Sequence, residues 1–421
     1  MPRFYSIVLS ITLIALAGPA FAQDEGLSIT EAYHLALKQS ETVAIQQEVI
    51  KEAEGRFLQA FSGLLPEVSY VVSEERREEP STSSGRRRIP VRKFTFSQPL
   101  FTGFKEFAAI AASRAEKQQR QYELQRAKEL LFTDVADAFY FYLSYQDDIE
   151  TLTTVHDALT ERLKELNERQ ELGRSRASEV ASAQARLSRS EADLEEVKGQ
   201  GEIYRQLLEF LTGHRIDKLK DGAEPIELSM IENYLAKADQ RSDVQAAREA
   251  AQLAKSGIGV ARANFFPSVS ADGNYYEHQV GPAANNDWDV TFTVDVPLFQ
   301  GGENIGLYKE AKSVAAQEDL RYAQLKRTAD LQVKNAYTSA HVMIRQEEAL
   351  QRAYKAADEN YAFQREDYRK NLVNNLEVLQ ALEDLQDMRR AWTSAKNETK
   401  RLYWNLLVTS GELHDTLGFS D

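Results

Sequence analysis

Cysteine is absent from the 421 residues, which removes disulfides, thiolate metal ligands and any lipid anchor carried on a cysteine. Basic charge is in deficit. Lys and Arg number 51 against 65 Asp and Glu, a formal net charge of −14, so the cationic surface that a phosphate backbone demands is missing and nucleic acid is excluded as the main partner. After Ala22 no apolar run approaches the ~20 residues of a membrane helix; if the chain enters a membrane, it must do so with strands. Catalytic signatures are lacking too. There is no Walker A pattern and no His-Glu-x-x-His, and Gly257-Ile258-Gly259 lacks the third glycine of a dinucleotide loop and sits inside a helical pattern. The six histidines are scattered and read as surface or packing residues rather than ligands. No cofactor, metal or enzymatic activity is expected.

What is present begins with an export signal. Residues 1–22 carry Arg3, an apolar segment from Ile7 to Ala17 and an Ala20-Phe21-Ala22 end, the layout of a cleavable secretory peptide. The rest of the chain says the same thing twice. Pro99-Leu100-Phe101-x-Gly103 returns as Pro297-Leu298-Phe299-x-Gly301, 198 residues later, and Leu65-Pro66 is mirrored by Phe266-Pro267. Each copy splices two short strands between long helices. Repeat 1 covers 23–212, with a helix over about 28–64, strands within 67–98, a long helix over 103–170 and a helix over 178–211. A linker at 213–228 leads to repeat 2, 229–411, with a helix to Phe266, strands within 268–297, a long helix over 302–369 and a helix over 375–410. A tail of 412–421 follows. Pro66, Pro99, Gly103, Pro267, Pro297 and Gly301 mark the helix–strand joints.

The helices carry heptads. Val180, Ala183, Leu187, Ser190, Leu194, Val197, Gly201, Tyr204, Leu208 and Leu211 alternate spacings of three and four, and the same seam recurs from Val378 to Thr409. Such a repeat keeps its stripe on a partner only if the helices supercoil. A helix of 103–170 would be roughly 100 Å long at ~1.5 Å per residue, so the strands lie at one end of a rod and the breaks near Gly173 and Asn371 at the other.

The strands alternate cleanly. Trp288, Val290, Phe292, Val294 and Val296 point one way and Asp289, Thr291, Thr293 and Asp295 the other; Val68, Tyr70 and Val72 alternate likewise. Apolar outside and polar inside is the pattern of a membrane barrel strand, with Trp288, Tyr275 and Tyr276 as interface aromatics. A half-buried hairpin on a soluble core gives the same alternation. On the barrel reading, four strands per chain cannot close a barrel, since membrane barrels begin at about eight, so copies must combine.

Signal, duplicated helix–strand–strand–helix unit, paired prolines, Pro-Leu-Phe-x-Gly steps and the pattern Leu172, Gly173, Ser178, Glu179, Val180, Ala183 together resemble the TolC family of outer-membrane efflux proteins. The resemblance covers essentially the whole mature chain. It implies a mainly α fold with a small β part, a homotrimer whose four strands per chain close a 12-stranded barrel in outer-membrane lipid, and a coiled-coil α-barrel crossing the periplasm. It implies a passive exit duct for efflux or type I secretion, engaged by a periplasmic adaptor and driven by an inner-membrane transporter. By motif position the gate carboxylate sites fall on Glu377 and Gln380, and a tether on Tyr368 with Glu179. Gln380 departs from the usual acid, and Val373 stands where a tethering Arg would face Ser178, so a single carboxylate ring and one absent latch are expected. Adaptor contact is expected at Leu172, Gly173, Ser178, Asn371 and Val373. Arg86-Arg87-Arg88 with Glu74, Glu75, Glu78 and Glu79 falls in an extracellular loop, solvated or touching lipopolysaccharide or another ligand. Two other classes stay open: a periplasmic adaptor, which needs one helical hairpin flanked by strand-rich domains, and an exported coiled-coil scaffold, which leaves the amphipathic strands unexplained.

Overall fold

The computed structural model describes residues 26–76, 88–222, 226–280, 285–370 and 372–413; the expected signal at 1–22, Glu78, Glu79, Arg86 and Arg87 of the expected loop, Asn371 and most of the tail lie outside them. The first half runs α1 (Ile29–Gln39), α2 (Glu41–Ser62), β1 (Glu67–Arg76), β2 (Arg88–Thr102), α3 (Lys105–Glu171) and α4 (Ala177–Thr212). The second repeats that order as α5 (Ile231–Ala238), α6 (Ser242–Ala263), β3 (Ser268–Gln279), β4 (Trp288–Asp295), α7 (Glu303–Arg369) and α8 (Asn375–Ser410). Two of the expected helices are broken. Ser40 ends α1 and starts α2, its hydroxyl accepting from the Val43 amide; a residue that satisfies an orphan donor at a helix start competes with helix continuation. The corresponding break in the second half lies between Ala238 and Ser242.

α3 and α7 each have 67 residues without interruption, about 100 Å of helix. α2 and α4 lie along α3, α8 packs on both α3 and α7, and α6 lies between α3 and α7. The lateral order is therefore α2 or α4, then α3, then α6 or α8, then α7. Burial follows from it. α3, flanked on both sides, buries 18 residues, and α7, flanked on one, buries only Ala315, Ala329, Val333 and Ala340. The heptad seam of α4 packs on α3: Ala183, Leu187, Ser190, Val197, Gly201 and Leu208 are buried, and Val180, Leu194, Tyr204 and Leu211 are half-buried. At mid-height α1 joins α3 and α4 through Tyr33, Phe132, Phe139 and Leu208, while α5 joins α7 and α8 through Tyr234, Val333 and Leu406.

The sheet is an antiparallel meander in the order β1-β2-β3-β4. β2 runs on through Pro99 to Thr102, past the expected end near residue 98, because it is central and pairs with Ser268 and Val269 of β3 after a bulge between Pro99 and Phe101. β4, an edge strand, stops at Asp295 before Pro297. At the turn into α3, Gly103 has φ +66° and Phe104 φ +67°, left-handed values that cost a side-chain-bearing residue ~1–2 kcal/mol. A Cβ on Gly103 would lie 2.5 Å from the Ala263 carbonyl oxygen, whereas one on Gly301 (φ +61°) would meet nothing within 4 Å. Gly301→Ala should therefore cost about 1–2 kcal/mol, and Gly103→Ala several-fold more because α6 must move. Thermal unfolding of the two variants checks this, and equal losses would contradict it.

Candidate channel wall, gate and membrane face

The sheet has two chemically opposite faces. On one, Val68, Phe96, Gly273 and Val290 are directly paired across the four strands, and Tyr70, Phe94, Tyr275 and Trp288 form the next apolar row. These side chains stay open: Val68 is 65% exposed, Trp288 68% and Phe292 70%. A soluble hairpin would have pressed this face against a core, so that reading fails. An apolar band closed on one side by an aromatic row is what lipid contact requires. Tyr276 departs from the expectation, pairing with Lys93 on the other face.

That other face is a hydrogen-bonded polar ladder. Ser69 and Thr95 hydroxyls lie 2.6 Å apart, Ser97 donates to Asp272 at 2.6 Å, Lys93 to Asn274 at 2.8 Å, and Asn274 in turn to Asp289 at 2.8 Å. Both edge strands, β1 and β4, lack an outer partner among the described residues. Unpaired backbone groups cannot be left in hydrocarbon, where each costs several kcal/mol.

The joints bring the motif residues to the foot of the sheet. Pro66 precedes β1 and Pro267 precedes β3, and Leu100, Phe104, Phe107, Leu298 and Phe299 are exposed there. No helix among the described residues is long and apolar enough to cross a membrane, and no group of three or more His, Cys, Asp or Glu could hold a metal ion.

Along the helices, α3 buries Phe132, Val135 and Phe139 towards α1, and its opposite side forms a concave cavity of about 1050 Å³. Glu41, Glu123, Asp134, Asp243 and Glu318 contribute its acidic lining, with Arg126 and Arg321. Burial, reinforced by nearby Asp137, pushes the Asp134 carboxyl up.

At the end away from the sheet, the α3–α4 turn carries Leu172, exposed, and Gly173 at φ +69°. Ser178 is exposed in the first turn of α4, and Val373 is half-buried in the α7–α8 turn. Glu377 sits in the first turn of α8, exposed, accepting from the Asn374 amide at 2.8 Å. Gln380 donates to Asp384 at 3.1 Å, so Glu377, Gln380 and Asp384, spaced three and four apart, form one exposed stripe with a second acid a turn beyond Gln380.

The expected Tyr368–Glu179 tether is not formed within the chain. Glu179 accepts from the Ser175 hydroxyl at 2.6 Å and the Arg176 amide at 3.2 Å, capping its own helix. The Ser175 hydrogen bond, ahead of the Arg176 contacts, holds its carboxyl below the usual range. Tyr368 belongs instead to α3: its hydroxyl accepts from Arg169 at 3.0 Å, and its ring lies 3.9 Å from the Arg162 guanidinium. Arg162 also donates to the buried Asn375 at 2.7 Å and to Glu165 at 2.6 Å. One arginine thus fastens the end of α7 and the start of α8 to α3. The sequence signal for this clamp is the seven-residue spacing of Arg162 and Arg169, which places both on one face of α3.

Comparison with known proteins agrees with this architecture. The profile described as outer membrane efflux protein matches residues 32–214 and 235–411. Outer membrane protein TolC of Vibrio cholerae is 27% identical over 372 residues, 81% of this chain and 80% of that protein. Outer membrane protein OprJ of Pseudomonas aeruginosa is 23% identical over 268 residues, 59% of this chain and 54% of that protein. Among solved structures, the outer membrane protein VceC of Vibrio cholerae superposes with a TM-score of 0.80 at 20% identity, covering 91% of this chain and 96% of that one. The open-state MtrE channel of Neisseria gonorrhoeae gives 0.75 at 18%, covering 91% and 88%.

Proposed function

The chain belongs to the outer membrane efflux protein family, and from that premise we propose that it is the passive exit duct of a tripartite efflux or type I secretion assembly. The family is one of outer-membrane channels rather than enzymes. In this reading three copies join side by side. β4 of one copy pairs with β1 of the next, giving twelve strands and no edge, and the open flank of α7 packs on α2 and α4 of its neighbour. The observation that carries the proposal is the pairing of an exposed apolar sheet face with two open sheet edges. A lone chain could not satisfy those edges in lipid, and a heterologous contact that closes generates a ring. The sparse burial of α7 supports the same seam.

In this assembly the polar ladder lines the barrel and the concave acidic face lines the tunnel. The tip of α3–α4 and α7–α8, with exposed Leu172, Leu372 and Leu376, receives a periplasmic adaptor that links the duct to an inner-membrane transporter. A role as the adaptor itself is not favoured, because the strands interrupt the helices twice and gather into one small sheet.

Light scattering of detergent-solubilised protein should return three times the chain mass, and planar bilayers should show conductance; a stable monomer or dimer would sink the reading. Glu377 then supplies a ring of three carboxylates at the tip, a local potential that favours cations. Glu377→Ala should lower the potassium-to-chloride permeability ratio by about two- to fivefold, with Asp384 sustaining the remainder. Unchanged reversal potentials would remove Glu377 from the gate.

A further inference from the structure

On the outward face of the sheet the aromatic row Tyr70, Phe94, Tyr275 and Trp288 marks the point past which charged residues enter. Beyond it, away from the helices, Val72, Arg92 and His278 share the next row, Glu74 faces Pro90, and Arg76 is directly opposite Arg88. With a strand rise of ~3.4 Å and a tilt near 40°, Arg92 stands about 5 Å and Arg76 and Arg88 about 15 Å beyond the aromatic row. All three are solvent-facing: the Arg76 side chain is 73% exposed, that of Arg88 64%, and Arg92 is exposed.

Among the described residues of this face their charge is only partly balanced. Glu74 is shared by Arg76 at 3.0 Å and Arg88 at 2.7 Å, and Glu277 accepts from the Tyr70 hydroxyl at 2.5 Å. Among the described residues Arg92 forms no ion pair. Like charges directly across a strand pair are destabilising, so the Arg76–Arg88 pairing asks for an anion. Charge on the opposite face has the other sign, with Glu67, Asp272, Asp289 and Asp295 against Lys93. Among the described residues the cationic surface therefore lies on the side that continues the lipid-contacting band.

We propose that Arg76, Arg88 and Arg92 form a docking patch for the phosphate groups of a phosphorylated glycolipid in the outer leaflet. The inference rests on the outer-membrane placement, which puts these strand ends on the extracellular side. Guanidinium groups suit this ligand because they bind phosphate oxygens through paired, charge-assisted hydrogen bonds. Two levels of cation, about 10 Å apart in height, match a headgroup carrying more than one phosphate better than a single free anion.

The test uses the full chain in phosphatidylcholine nanodiscs doped with bisphosphoryl lipid A, with retained lipid counted by native mass spectrometry. Wild type should retain lipid A and not its dephosphorylated form. The triple variant Arg76→Gln, Arg88→Gln, Arg92→Gln should retain about tenfold less. A charge-matched control away from the sheet, Arg189→Gln and Lys198→Gln on α4 with Arg215→Gln in the segment after it, should behave as wild type. If the triple variant does not assemble, Arg92→Gln alone should retain about threefold less. Retention by the triple or single variant at the wild-type level, an equal loss in the control, or complete displacement by inorganic phosphate would overturn the proposal. Bilayer conductance of the wild type, measured alongside, separates the two readings: its absence would sink the duct, and its presence with unaltered lipid retention in the variants would sink only the patch.

Discussion

Arg162→Ala is expected to raise the resting conductance of the reconstituted channel by about tenfold, through loss of the clamp that holds α7 and α8 against α3. Arg162 stacks on the Tyr368 ring at 3.9 Å and donates to Asn375 at 2.7 Å, with its side chain only 13% exposed. A desolvated cation–π contact contributes up to about 2 kcal/mol and a charged hydrogen bond about 1.5–3 kcal/mol. Losing roughly 3 kcal/mol from the inward-held state moves its equilibrium by about two powers of ten, and the finite conductance of an open duct caps what is observed. Tyr368→Phe should do much less, about twofold, because it removes only the Arg169 hydrogen bond and keeps the ring beneath Arg162. Tyr368→Ala should approach Arg162→Ala. A Phe variant as leaky as the Ala variant would show that the ring stack does not hold the helices, provided that all variants keep the assembled mass.

Phe292→Arg should abolish most of the assembled protein in the outer membrane, while Thr291→Arg, one residue away, should be tolerated. Phe292 lies on the apolar face at 70% exposure, and an arginine in the lipid-facing band of a barrel costs about 2–4 kcal/mol per chain near the midplane. Thr291 faces the polar ladder and is paired across the strands with Asp272, so an arginine there gains a carboxylate neighbour. In water both are surface positions and neither change would exceed about 0.5 kcal/mol. Trimer yield in outer-membrane fractions should fall at least about tenfold for the first variant and stay within about twofold for the second. Equal yields would mean that the exposed face does not meet lipid.

The architecture was legible because its punctuation is local. Prolines and left-handed glycines mark the joints, two-residue alternation marks the strands, and the unslipped heptad from Val180 to Leu211 marks a helix seam whose members are all buried or half-buried. The duplication doubled each of these signals. The break at Ser40 was missed because the apolar pattern continues through it; the sign was a hydroxyl followed by an acid, a cap rather than a change of period. The clamp was missed for a different reason. Motif position nominated Glu179 as the partner of Tyr368, but Glu179 satisfies its own helix start through Ser175 and Arg176. A nearby donor outcompetes one on another element. The choice of Arg162 and Arg169 depends on packing across 199 residues of sequence, which periodicity does not encode. Nor does composition distinguish α3 from α7, two helices of equal length with different numbers of neighbours.

The unbroken helices and the broken ones differ as struts. α3 and α7 run from the sheet to the tip as single continuous beams, whereas their companions are jointed at mid-height, where α2 gives way to α4 and α6 to α8. A jointed member transmits compression but little bending moment across its hinge. In the proposed assembly, movement of the tip segments α4 and α8 would be taken up at these joints, beside the clusters in which α1 packs on α3 and α4 and α5 on α7 and α8. On the proposed trimeric reading, the tip would then widen with little movement of the strands at the far end of the beams.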